Sequence, residues 1–101
     1  MDLDNDSATL ASTAGGVVYS NQEVSSTPML YLNSEAITNG VDYKWELKNS
    51  TITIPNDFAT IDKTTHKLTV TNISGNYTDE YICTATYKEQ QYQKIFTVTK
   101  V

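Results

Sequence analysis

Leu68-Thr-Val70-Thr-Asn-Ile73, followed by Tyr81-Ile-Cys83, is the stretch whose reading decides how this chain folds. Leu68 and Val70 stand two apart and so share one face of an extended strand. Tyr81 and Cys83 do the same on a second strand. Upstream, Val41-Asp-Tyr43-Lys-Trp45-Glu-Leu47-Lys48 alternates without a break. Its odd positions are apolar or aromatic and its even positions are all charged, which puts Val41, Tyr43, Trp45 and Leu47 on a buried face. The opposite row, Asp42, Lys44, Glu46 and Lys48, reads as a solvated face that discourages edge-to-edge aggregation.

Working outward, residues 7–12 read as a first edge strand and 16–20 as a short strand after the Gly15-Gly16 turn. Pro28 opens the next run, 29–32, since proline is tolerated at a strand's start. Residues 33–40 form a loop in which Asn39-Gly40 favours positive φ. Residues 51–54 make a short edge strand ended by Pro55-Asn56, and Phe58 and Ile61 pack inward from an irregular connection. Residues 67–71, 80–87 and 91–101 are the last three strands, the final two joined by a hairpin at 88–90.

Composition agrees with an all-β chain. Serine and threonine supply 24 of the 101 residues, there are seven tyrosines, and no long stretch carries a helical period. One core is normal at this length, so residues 1–101 read as a single domain, with 1–6 as a leader or inter-domain segment. The formal net charge is −5 and all seven basic residues are lysines. That excludes the basic patch a nucleic-acid partner needs, and no apolar run is long enough to insert in a membrane as a helix. The start, Met1-Asp-Leu-Asp-Asn-Asp6, lacks the regions of a signal peptide. The expectation is a domain cut from a longer protein, or one that reaches its site without secretion.

From Pro28 to Val101 the chain resembles the immunoglobulin-like fold. Leu68, Val70, Ile73, Tyr81 and Cys83 fall in register with that family's Leu-x-Ile/Val-x-x-Val/Ile and Asp-x-Gly-x-Tyr-x-Cys pattern, and Trp45 resembles its central tryptophan. The resemblance implies a two-sheet sandwich of about seven antiparallel strands in a Greek key. It implies a tyrosine corner at Tyr81, its hydroxyl bonding backbone near Tyr77. The family's Asp and Gly positions are Tyr77 and Asp79 here, and its second cysteine is replaced by Leu32, with Leu30 the alternative. Four shorter strings resemble the immunoglobulin-like modules of bacteriophage tail and baseplate proteins. They are Asp4-Asn-Asp-Ser7, Tyr43-Lys-Trp45, the run from Ile61 to Val70, and Phe96-Thr-Val-Thr-Lys-Val101. In such proteins these modules decorate fibres and tail tips and aid weak adhesion to host glycans.

The candidates for chemistry are few. His66 is the only histidine and reads as a solvated turn residue without a nucleophile beside it. Cys83 is the only cysteine and reads as inert core. Asp2, Asp4, Asn5 and Asp6 form an acidic string that reads as a solvated leader, so no metal, cofactor or catalytic residue is expected. Sequons at Asn5, Asn49, Asn72 and Asn76 are too common in so Ser/Thr-rich a chain to place it in a secretory pathway. Tyrosine offers a flat apolar body with a polar tip, suited to sugar stacking and protein interfaces. Tyr31, Tyr87 and Tyr92 are the expected ligand surface, rimming the 33–40 and 88–91 loops at one end of a sandwich.

The expectation is a non-catalytic virion module whose partners are a host cell-surface glycan or protein and its neighbouring modules. A purely structural spacer is the alternative, as is a domain of a secreted receptor or bacterial adhesin at the cell surface.

Overall fold

The computed structural model describes residues 1–75 and 77–101; the sequon at Asn76 lies outside them. Among the described residues there is no helix. The strands are β1 (Asp2–Leu3), β2 (Ser7–Leu10), β3 (Val24–Ser26), β4 (Pro28–Leu32), β5 (Glu35–Ile37), β6 (Asp42–Leu47), β7 (Ala59–Ile61), β8 (Leu68–Val70), β9 (Thr78–Tyr87) and β10 (Gln90–Lys100).

The largest sheet runs β2-β10-β9-β6, and two smaller ones run β3-β8-β7 and β1-β4-β5. Only Thr27 separates β3 from β4, so the two small sheets are successive stretches of one path. Every pairing is antiparallel except that of β2 with β10, which is parallel over Ser7–Leu10 and Thr97–Lys100. The β9–β10 hairpin turns through Lys88 and Glu89, both at positive φ (48° and 68°). A two-residue turn with both φ positive matches the right-handed twist of its strands.

Register builds the core. In the large sheet Trp45 stands across from Cys83, Leu47 across from Tyr81, and Tyr81 in turn across from Phe96. These side chains share one face. Leu68 and Val70 of β8 meet them from the other sheet, with Leu3, Leu10, Ala59 and Val98 completing the cluster. Trp45 is only 4% exposed. The charged side of β6 faces water, as its alternation requires.

Several expectations need correction. Residues 51–54 form no strand, residues 16–20 contribute only a bridge from Val18 to Ser12, and β5 lies inside the expected 33–40 loop. Ile61 belongs to β7 rather than to an irregular connection, and packs against the core with Phe58.

Neither Leu32 nor Leu30 joins the cluster around Cys83. The residues facing β8 are Val24, across from Val70, and Ser26, across from Leu68. Ser26 is fully buried because its hydroxyl donates to the Asn5 carbonyl at 2.6 Å, so the sheet begins in a polar stretch that hydrophobicity does not reveal. Leu30 is also buried, but higher along the path, where its N–H donates to the Tyr43 hydroxyl at 2.8 Å.

The Tyr81 hydroxyl has no hydrogen-bond partner among the described residues, so the expected tyrosine corner is not formed among them. Asp79 does the tethering instead. Its buried carboxylate accepts the Ser74 N–H (2.6 Å), the Ser74 hydroxyl (2.9 Å) and the Gly75 N–H (3.0 Å). A hydrogen bond to a charged group contributes about 1.5–3 kcal/mol, and Asp79→Ala is expected to lower unfolding stability by at least that much in a urea titration. Asp79→Asn, which keeps one acceptor oxygen, should lose less. A loss below about 0.5 kcal/mol for the alanine variant would show that the tether carries no weight.

Candidate binding surface

The N-terminal residues expected as a leader lie bonded along β3 and β4. The Asp4 N–H donates to the Thr27 carbonyl at 3.1 Å, and the Thr27 N–H donates to the Asp4 carboxylate at 2.6 Å. The Asn5 side-chain amide donates to the Ser25 carbonyl at 2.8 Å, so this sequon's own nitrogen is engaged. Leu3 is buried in the core and Met1 packs against it. Beside this segment opens a groove of about 680 Å³, lined by Asp2, Asp4, Met29, Tyr31 and Ser34 among others.

Tyr31 is therefore the expected residue that does line a groove. It is 44% exposed on β4, in register with Ala36 of β5. A phenol beside two carboxylates and a hydroxyl suits a polyhydroxylated or polar ligand, with the ring for stacking and the oxygens for hydrogen bonds. The acidic string was visible in the sequence, but only the β1–β4 pairing sets it beside Tyr31.

Tyr87 and Tyr92 lie elsewhere and do not line that groove. Tyr87, half-buried, sits at the β9–β10 turn with the Lys88 ammonium 5.3 Å from its ring centroid. Its Cε1 lies 3.8 Å from where a Cβ on Gly40 would stand, so it touches the end of the 33–40 loop. Tyr92 is half-buried across from Ala85. Tyr31 thus stands at the N-terminal groove, while Tyr87 and Tyr92 lie on the β9–β10 hairpin.

His66 is more built-in than a solvated turn residue. Its ring lies 5.1 Å from that of Tyr43, and its carbonyl accepts the Trp45 indole N–H at 2.8 Å. The turn that presents it is held by Asp62, whose carboxylate accepts the Thr64 and Thr65 N–H groups, each at 2.8 Å. Those bonds, Thr65 first, hold the Asp62 carboxyl below its ordinary range. A smaller groove of about 270 Å³ runs between this turn and β4, past Tyr43, Ile37 and Met29.

Among the described residues no three His, Cys, Asp or Glu side chains converge. Cys83 is wholly buried and burial pushes its thiol up to about 12. Burial also raises the Tyr43 hydroxyl, against the opposing Leu30 N–H bond, and raises that of Tyr81, with the Asp79 charge adding to it.

No family model matches the chain, and neither a curated protein nor a solved structure does.

Two outcomes follow from the buried thiol. At pH 8 Cys83 should resist iodoacetamide in the native protein and react readily in urea, whereas native labelling at the rate of a free thiol would contradict its burial. The unfolded thiol ionises near 9.0 while the folded one stays protonated to about 12. The folded value is the raised one, so the stability it contributes is fully present below pH 9 and is lost as pH rises toward 12. Tyr43 and Tyr81, ordinarily near 10.0, deepen that loss above pH 10. In urea titrations against pH, Cys83→Ala should remove the part of the decline that begins at pH 9.

Proposed function

We propose that this chain is an immunoglobulin-like β-sandwich module of a phage tail or other virion protein, holding weak, multivalent contacts with host-surface glycans or proteins without catalysis. The observation that carries the fold reading is the path of the first strands. β1 pairs with β4 on one side of the core, and β2 then crosses to lie parallel to β10 in the other sheet. Successive connections pass between sheets from β5 to β6, from β6 to β7 and from β8 to β9, and only β9 to β10 is a hairpin within the large sheet. That order, and Trp45 standing across from Cys83, support the immunoglobulin-like Greek key reading.

The virion assignment rests on the four strings that resemble tail and baseplate modules. The adhesive role is supported by exposed Tyr31, flanked by the Asp2 and Asp4 carboxylates in an open groove. Such shallow polar surfaces bind weakly one at a time. Several copies held together raise the effective concentration for each further contact, so that retention grows without any new interaction.

Biotinylated chain should be compared as a monomer and as a streptavidin tetramer, on a glycan array and on whole bacterial cells. The tetramer is expected to be retained about 10²-fold more strongly than the monomer. Tyr31→Ala, Tyr87→Ala and Tyr92→Ala then report which surface makes the contact. No retention of the tetramer on any glycan or cell would end the adhesive reading and leave the spacer.

A further inference from the structure

The free edge of β6 is complementary to itself. We infer that it joins a second copy of this chain by antiparallel strand pairing about a two-fold axis through Trp45. This stands independently of the adhesive reading.

β6 ends the large sheet and has β9 on one side only. Just beyond its last residue, the Lys48 N–H donates to the Glu80 carbonyl of β9 at 2.8 Å. Backbone groups alternate sides along a strand, so Lys44 and Glu46 likewise bond inward to β9. Tyr43, Trp45 and Leu47 therefore turn their N–H and C=O groups to the open edge. The segment from Ser50 to Ile54 stands beside Lys44–Leu47 of that edge across a groove of about 240 Å³ without forming a strand with it, so it moves aside when a second strand pairs there. Its Ile52 is 43% exposed, an apolar rim beside the unpaired backbone. The charged row guards this edge against strands of the wrong pattern, but an edge without proline or a bulge still accepts a strand whose charges are opposite.

Charge selects which strand. With Trp45 facing Trp45 of the second copy, Tyr43 faces Leu47, and these odd residues exchange the backbone bonds. On the outer face Lys44 then stands opposite Glu46 of the other copy, and Asp42 opposite its Lys48. Both contacts occur twice by symmetry, and all four pairs are of opposite sign.

Neighbouring registers fail. A slip of two residues one way sets Lys44 against Lys44 and Asp42 against Glu46. The other way sets Glu46 against Glu46 and Lys44 against Lys48. Like charges directly opposite destabilise a ladder. A slip of one residue puts open backbone groups against residues whose own groups turn away. Slips of four residues keep one opposite-sign contact, repeated by symmetry, so the Trp45-centred register is the one that pairs all four charges, and this chain's own strand, reversed, supplies it.

The charges already facing this row fit the same arrangement. Lys48 holds Glu80 of β9 at 3.3 Å, and Lys44 touches Glu46 of its own strand at 3.6 Å. Across the joint the sequence of charges becomes Glu80, Lys48, then Asp42 of the second copy, alternating throughout. Lys44 is 74% exposed and free to swing to its new partner.

The test is sedimentation equilibrium of the chain from micromolar to millimolar concentration at low salt, with amide hydrogen exchange at both ends of the range. The wild type should pass from monomer to dimer, and the Tyr43, Trp45 and Leu47 amides should gain protection with concentration. Lys44→Glu should weaken the dimer about tenfold or more, because it turns two opposite-sign pairs into like-sign ones. Adding Glu46→Lys to Lys44→Glu restores the sign pattern and should restore the dimer. Lys63→Glu, which makes the same charge change at an exposed turn, should leave it intact. A wild type monomeric at millimolar concentration overturns the inference. So does a dimer protected elsewhere than β6, one that the double variant fails to restore, or one that Lys63→Glu weakens equally.

Discussion

The Trp45 indole N–H donates to the His66 carbonyl and so ties the two sides of the core together. The indole belongs to the large sheet and the carbonyl to the turn that feeds β8 in the other, so the bond sets where the two layers meet. A buried tryptophan needs a partner for its N–H, and here that partner is backbone held at positive φ (64°) by a turn that Asp62 ties from within. The chain of dependence is short. Asp62 shapes the turn, the turn aims the carbonyl, the carbonyl fixes the indole, and Cys83, Leu68 and Val70 close around it.

What could be read in the residues beforehand follows how strongly each strand alternates. β6 has apolar and charged residues strictly in turn, and Tyr43, Trp45 and Leu47 were legible on its core face, while Val41 stays half-buried just before the strand. In β8 and β9 the core residues Leu68, Val70, Tyr81 and Cys83 were legible from their spacing of two. β3 was not, because Val24-Ser-Ser26 has the composition of a loop, and Ser26 is buried only through a bond to Asn5, far along the chain. Leucine was expected to pack against Cys83, yet neither Leu30 nor Leu32 joins its cluster, while Val24 packs against it. At 51–54 the opposite error occurred: Thr-Ile-Thr-Ile has strand propensity, yet no neighbouring backbone pairs with it.

The candidate surface was legible in part. Tyrosine chemistry singled out Tyr31, Tyr87 and Tyr92, but pairing across long stretches of chain decides which of them share a surface. β1 brings Asp2 and Asp4 to Tyr31, and Gly40 brings the 33–40 loop to Tyr87. An acidic string that looked like a frayed leader became one wall of a groove, because Thr27 exchanges two hydrogen bonds with Asp4. Those bonds require the native sheet. No local pattern announces them.

The side-by-side course of β2 and β10 has a mechanical meaning. Both strands point the same way, one near the start of the chain and the other at its close, with the Val101 N–H bonded to the Leu10 carbonyl at 2.9 Å. Traction on the two ends would first peel away the two residues of β1. It would then load the rungs between β2 and β10 together, in shear, instead of opening them one by one as a zipper. Resistance to pulling is thereby concentrated in a seam of four residue pairs that joins the first part of the polypeptide to the last.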